Sequence, residues 1–250
     1  DTRTGKLKWR FFAEGPIRFA PYIDGDRVYF GADDGYVYCL HLEEGKLLWR
    51  YRPSPADEYV IGNSRMVSLW PVRTGLIVDK GIVYVGAGVF PYEGLYICAI
   101  DAKTGNEIWK NDTAGDLAWG LQYGGMAPQG YLLASDSTLY VPSGRGMPAA
   151  FDRQDGHFIR FLSQGGKTGG SWALMDQDKL IAGVNSQGNP AKIVFDEKTG
   201  KRQGDLFAQY PGIDLVMTDR MAYTVIEGGI VAIDRQVHQA AITESATISK

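Results

Sequence analysis

The sequence predicts an all-β fold, a β-propeller of four-stranded antiparallel blades, and three observations predict it. A glycine-centred corner recurs along the 250 residues: DTRTGKLKW at 1–9, EEGKLLW at 43–49, DAKTGNEIW at 101–109, DRQDGHF at 152–158 and DEKTGKR at 196–202. The corner glycines Gly5, Gly45, Gly105, Gly156 and Gly200 lie 40, 60, 51 and 44 residues apart, the spacing of a radial array with four short strands per repeat. Between corners run short segments rich in β-branched and aromatic residues, bounded by Gly/Asp turns, which is the pattern of strands joined by tight hairpins.

The repeat at 17–51 sets the template. Residues 17–23 read as the inner strand, Asp24-Gly25-Asp26 as a tight turn and residues 27–30 (RVYF) as the second strand. Asp33-Asp34-Gly35 turns the chain, residues 36–42 form the third strand, and Gly45 turns it into the outer strand 46–51. A corner glycine supplies a positive φ at no steric cost. Later repeats follow as IVYV (82–85) with LYICAI (95–100), TLYV (138–141) with PAAF (148–151), and KLIAG (179–183) with KIVF (192–195). The last pairs MAYTV (221–225) with GIVAID (229–234). Four complete blades are therefore expected between about 17 and 207, three strands of a fifth at 213–234, and a lone outer strand within 1–12. Residues 1–234 form the propeller domain, and 235–250 a tail, irregular or helical, that lacks the next corner. The chain opens on a corner and reads as a piece of a longer array, so the lack of a leader does not bear on export.

A net charge of −3 and a pI near 5.7 provide no basic stripe for nucleic acid. The longest apolar stretch, around 75–89, is broken by Asp79 and Lys80 and is too short for a membrane span. Cys39 lies six residues before Gly45 and Cys98 seven before Gly105. A side-chain period of two puts them on opposite sheet faces, which predicts two buried free thiols and no disulfide. Neither has metal-ligand spacing.

Trp9, Trp49 and Trp109 each stand four residues after a corner glycine. That regularity predicts docking residues wedged between blades, with Phe161 as the substitute after Gly156. The inner turns are tight (Asp24–Asp26, Asp79–Gly81, Asp219–Arg220), and the insertions at 52–67, 89–94, 112–128, 143–147, 163–170 and 185–190 all fall on the opposite face. Long loops gathered on one face of a rigid scaffold point to binding there. Aligned inner strands put Arg18, Arg73 and Gln129 at one equivalent position, with Gly170 and Gly212 in the next two blades. Two residues on come Ala20, Gly75, Tyr131, Trp172 and Asp214. The candidate ligand-binding residues at this channel mouth are Arg18, Arg73, Gln129, Arg145, Trp172 and Asp214. Arginine forks suit carboxylates and a tryptophan offers a flat apolar wall, so a small anionic or carbonyl-rich ligand is expected; the competing expectation is that both arginines pair with loop carboxylates such as Asp57, Glu58 or Asp116, which leaves a scaffold role.

Catalytic chemistry is not legible. His41, His157 and His238 are scattered over three repeats and read as surface or packing residues. No G-x-S-x-G, H-E-x-x-H or P-loop pattern occurs. Asp33-Asp34 and Glu43-Glu44 sit in turns, where they are expected to be solvated. No catalytic residue and no metal ligand is assigned.

The corner D-x-x-T-G-K-x-x-W resembles the pyrroloquinoline-quinone-type propeller repeat of quinoprotein alcohol dehydrogenases, an outer-membrane assembly lipoprotein and many bacterial envelope proteins. The resemblance extends over essentially the whole chain. It is nearest to an uncharacterised planctomycete-type group through PVRTG (71–75), APQGYLLAS (127–135) and AAFDR (149–153). It implies a parent of seven or eight blades, of which this chain is an open arc, and a periplasmic or otherwise extracytoplasmic location. Quinoprotein dehydrogenases use the quinone, calcium or a lanthanide, an aspartate base and a disulfide between adjacent cysteines. This chain has no adjacent pair, so no catalytic residue carries over and no cofactor is expected here. Three functions remain: a non-catalytic scaffold or ligand-binding module of an envelope protein, part of a dehydrogenase holding pyrroloquinoline quinone with calcium, or a protein-docking platform resembling the outer-membrane assembly propeller. The expected partners are a small molecule or protein at the loop face and further blades of the parent chain, with no nucleic acid and no membrane span.

Overall fold

The computed structural model describes residues 3–62, 64–117, 126–144, 146, 148–162, 172–186, 189–204, 210–211 and 215–248, with backbone alone for 183–186, 189–191, 204 and 245–248. The chain divides into two compact units, Asp1–Ser171 and Trp172–Lys250. The first holds three four-stranded antiparallel sheets. They are Tyr22–Asp24, Arg27–Gly31, Val37–His41, Leu47–Tyr51; then Ile77–Asp79, Ile82–Ala87, Tyr96–Asp101, Glu107–Asn111; then Leu133–Ala134, Thr138–Val141, Ala149–Asp152, Phe158–Phe161. The second unit holds a fourth such sheet, Ala173–Asp176, Lys179–Ser186, Asn189–Asp196, Arg202–Gly204. A three-stranded sheet of Leu215–Met217, Met221–Ile226 and Gly229–Asp234 follows, and then a helix, Arg235–Ile248.

The corners repeat because their hydrogen bonds do. The Asp101 N–H donates to the Asn106 carbonyl at 2.8 Å, and the Gly105 N–H donates to the Asp101 carbonyl at 2.9 Å. The Asp101 carboxylate accepts the Lys103 and Thr104 N–H groups and the Thr104 hydroxyl, so Asp and Thr together close the turn. Asp196 and Thr199 repeat the side-chain bonds. His41 replaces the aspartate in the first blade, and the two backbone bonds persist there. Gly45, Gly105, Gly156 and Gly200 have φ of +66°, +76°, +77° and +66°, a region costly for any residue with a Cβ.

Each docking tryptophan packs on the corner of the following blade. Trp9, Trp49 and Trp109 lie over Gly45, Gly105 and Gly156, where an added Cβ would come within 2.4, 2.7 and 2.3 Å of the indole. Their indole N–H groups donate to the carbonyls of Leu42, Ala102 and Arg153 at 2.7, 3.1 and 2.9 Å. The corner glycine thus serves the turn and the neighbour's ring together. Phe161 does not substitute for a tryptophan. Arg160 stands opposite Ala150, as Trp109 stands opposite Ala99. Phe161, one residue further, turns to the other face and packs beside Phe158 against the layer containing Tyr84 and Trp109.

Cys39 and Cys98 are free and buried. Opposite faces of successive blades look at each other, so both thiols enter one layer with Tyr29, Val83 and Val85. The opposite-face argument therefore does not separate them. Burial pushes the Cys98 thiol up to about 12.

Several elements differ from expectation. The inner run of the second blade is split: Thr74–Gly75 pairs in parallel with Gly130–Tyr131 of the third, and Ile77–Asp79 pairs within its own blade. Insertion 52–67 contains a hairpin, Tyr59–Gly62 with Arg65–Ser68. Insertion 185–190 extends a hairpin, paired out to Ser186 and Asn189. Residues 6–12 pair with no strand among the described residues.

In the last sheet the corner aspartate, Asp234, accepts the N–H groups of Gln236 and Val237 at 3.0 and 3.3 Å. His238 replaces the corner glycine four residues on, and the chain continues as a helix capped by Asp234. Arg153 and Arg235, each directly after a corner aspartate, reach back to Asp79 and Asp176, which end the preceding inner strands.

Candidate functional site

The site begins in the turn after the second strand of the first blade. Gly35, with φ +88°, closes that turn, and Asp33 and Asp34 are 0% and 1% exposed. The expectation of solvated turn acids holds for Glu43 and Glu44, which are exposed, and is overturned for Asp33 and Asp34, because each has a full set of donors. The Asp34 carboxylate accepts the N–H groups of Glu14, Gly15 and Tyr36 and the Tyr38 hydroxyl, at 2.8 to 3.2 Å. The incoming chain passes so closely that a Cβ on Gly15 would lie 2.3 Å from the Asp34 nitrogen. Burial, with the Asp34 bond, raises the Tyr38 phenol above its ordinary value.

Asp33 gathers the two arginines. Arg18 Nε and Nη2 lie 2.7 and 2.6 Å from Asp33 Oδ2. Arg73 Nε donates to Oδ1 at 2.7 Å and Nη2 to Oδ2 at 3.3 Å. The Asp33 backbone is also tied, its N–H to the Pro16 carbonyl and its carbonyl to the Ser68 N–H, at 2.9 and 2.8 Å. The carboxylate is out of solvent, while the Arg18 and Arg73 side chains stay 38% and 25% exposed. The Asp33 hydrogen bond raises the Arg18 guanidinium above its usual value.

Gln129 belongs to the same rim. The Thr74–Gly130 pairing sets the Arg73 and Gln129 strands side by side, and the Gln129 amide lies against Gly144. Tyr131 crosses over Gly75, meets Phe19 edge to face at 5.2 Å, and accepts the Ala20 N–H at 3.2 Å. The inner strands of the first three blades thus converge at Arg18, Arg73 and Gln129. Trp172 lies in the second unit, half-buried against Ile181, Val194 and Leu215. Arg145 and Asp214 lie outside the described residues, as do Gly170 and Gly212.

The sequence reading missed Asp33. Its signal was indirect: two arginines at equivalent rim positions require a counter-charge, and an acid pair occupies the adjacent turn. Asp152, Asp155 and His157 also approach within 4.8 Å at the Gly156 corner, where Asp152 and Asp155 hold turn N–H groups. A calcium–quinone pair does not fit the described rim. Every oxygen of Asp33 and Asp34 is already bonded to protein donors, and the two cysteines are buried apart from the rim in the blade layer.

Residues 1–116 match the family model described as outer membrane protein assembly factor BamB. Quinohemoprotein alcohol dehydrogenase ADH-IIG of Pseudomonas putida is 33% identical over 120 residues, covering 46% of this chain and 16% of the dehydrogenase. An outer membrane protein assembly factor BamB of Alkalilimnicola ehrlichii is 27% identical over 137 residues, covering 55% of this chain and 30% of that protein. Among solved structures, BamB from Moraxella catarrhalis superposes with a TM-score of 0.60 at 21% identity, covering 94% of this chain and 66% of that one. A europium-containing methanol dehydrogenase gives 0.60 at 17% identity, covering 93% and 52%. The chain therefore spans a minor part of the curated relatives' length, and the structural likenesses bear on the fold. The corner repeat, the four-stranded blades and these likenesses support a β-propeller built of pyrroloquinoline-quinone-like repeats.

Proposed function

We propose that this propeller is a non-catalytic scaffold that binds a small anionic ligand at the loop-face rim, within an extracytoplasmic protein. One observation carries the reading: Arg18 and Arg73, from successive inner strands, are held side by side on buried Asp33 while their side chains stay partly exposed. Fixed guanidiniums lose little entropy on binding a carboxylate. The relatives named as an outer-membrane assembly factor support the location.

The test is calorimetric titration with benzoate at pH 7 and low salt. Saturable binding is expected, and Arg18→Gln should abolish it with little change in Tm, because Arg73 alone still satisfies Asp33. Absence of saturable binding by small carboxylates would sink the reading.

A second reading, a protein-docking platform, is favoured by the inserted hairpin, whose Ile61 and Met66 are 81% and 58% exposed. Solvent-facing apolar residues on an added element suit a protein partner. Loss of a pulled-down partner on Ile61→Asp, with benzoate binding intact, would favour it.

A further inference from the structure

We infer that Asp33 sets the charge of the rim, making it a receptor for a single carboxylate and against polyanions. The inference rests on the ligand-binding reading above and adds the ligand's charge class. Each guanidinium spends its Nε and Nη2 on Asp33. Arg18 and Arg73 each keep one terminal nitrogen, Nη1, with no partner among the described residues. Two such nitrogens, on forks that grip one carboxylate, offer donors to the oxygens of a second carboxylate.

The charge count limits what that second group can be. Two guanidiniums less the Asp33 carboxylate leave one net positive charge in direct contact with a ligand. Asp34, next along the chain, is also buried and accepts only from neutral donors, so its charge is not cancelled and adds repulsion. A monocarboxylate matches the one charge left in direct contact with it. A tricarboxylate brings two charges that nothing on the described rim matches, and stripping water from unmatched charge is costly. A ligand carboxylate does not displace Asp33, whose main chain is tied on both sides and whose side chain is 0% exposed.

The probes are benzoate, benzene-1,3,5-tricarboxylate and benzamide, which share a ring and differ in charge, titrated into the whole chain at pH 7. Benzoate should bind at least ten-fold more tightly than the tricarboxylate, and benzamide should not bind. In Asp33→Asn the tricarboxylate should gain at least ten-fold relative to benzoate. Tighter binding of the tricarboxylate to the unaltered chain overturns the inference and leaves the ligand-binding reading standing. No binding by either anion overturns both. Should Asp33→Asn fail to fold, the order of the probes on the unaltered chain still decides. N-acetyl-trialanine and its C-terminal amide separate the sources. Ten-fold tighter binding of the peptide acid than of benzoate assigns the carboxylate to a chain terminus, and equal binding assigns it to a free small acid.

Discussion

At the scale of single residues, one glycine position does two jobs, and the two can be measured apart. Trp49→Ala removes a ring packed on Gly105 and should cost about 3–5 kcal/mol, as for a buried aromatic replaced by a cavity. Gly105→Ala should also destabilise, through its φ of +76° and through contact with the Trp49 ring at 2.7 Å. In the Trp49→Ala background the second cost should shrink to the backbone part. Additive losses in Tm across the double-mutant cycle would contradict the shared-position account. The rim behaves differently, because its residues are electrically linked. Replacing Arg18 and Arg73 together by Gln strands the buried Asp33 carboxylate and should cost about 3 kcal/mol. Adding Asp33→Asn should restore much of that stability in denaturant melts. A double variant as stable as the parent would show that Asp33 is solvated.

At the scale of elements, the corner is a portable device. The same aspartate that closes turns at 101 and 196 caps the helix at 234, and the residue four positions on decides the outcome. Hydrogen bonds from Thr104, Thr199 and the Val237 N–H hold Asp101, Asp196 and Asp234 below the ordinary carboxylate value of 3.8. Groups depressed on folding stabilise the fold above their unfolded value, and that contribution fades as pH falls through the folded values. Stability should therefore be flat from about pH 6 to 5 and decline below about pH 4. Asp234→Ala should lower helical ellipticity without abolishing the sheet signal. Unchanged helicity would mean that the helix is held by packing alone.

At the scale of the whole molecule, blades adhere through layers that neither sheet owns. Both cysteines lie in one such layer with relative exposure of 0%, and burial raises both thiols above their ordinary value. They should resist alkylation in the native state and react together when that layer opens. Hydrogen exchange and thiol labelling should then report the same opening free energy for the first two blades. Reaction of one thiol without the other would show that the layer frays locally.

The sequence by itself determined the strands, the corners, the blade count and the tryptophan positions. Each of those is encoded within a few residues: an Asp-Thr-Gly turn, an alternating strand, an aromatic at a fixed offset from a glycine. It also placed Arg18, Arg73 and Gln129 in one row, since a repeat carries its own alignment. Contacts between repeats were decided only in the tertiary structure. Arg73 meets an acid forty residues away. Phe161 faces backward because the strand's alternation, and not its distance from a glycine, sets direction. Asp33 looked like a solvated turn acid until the neighbouring blade closed over it. Desolvation and ion pairing depend on what packs alongside, and in a propeller that neighbour is always the next repeat.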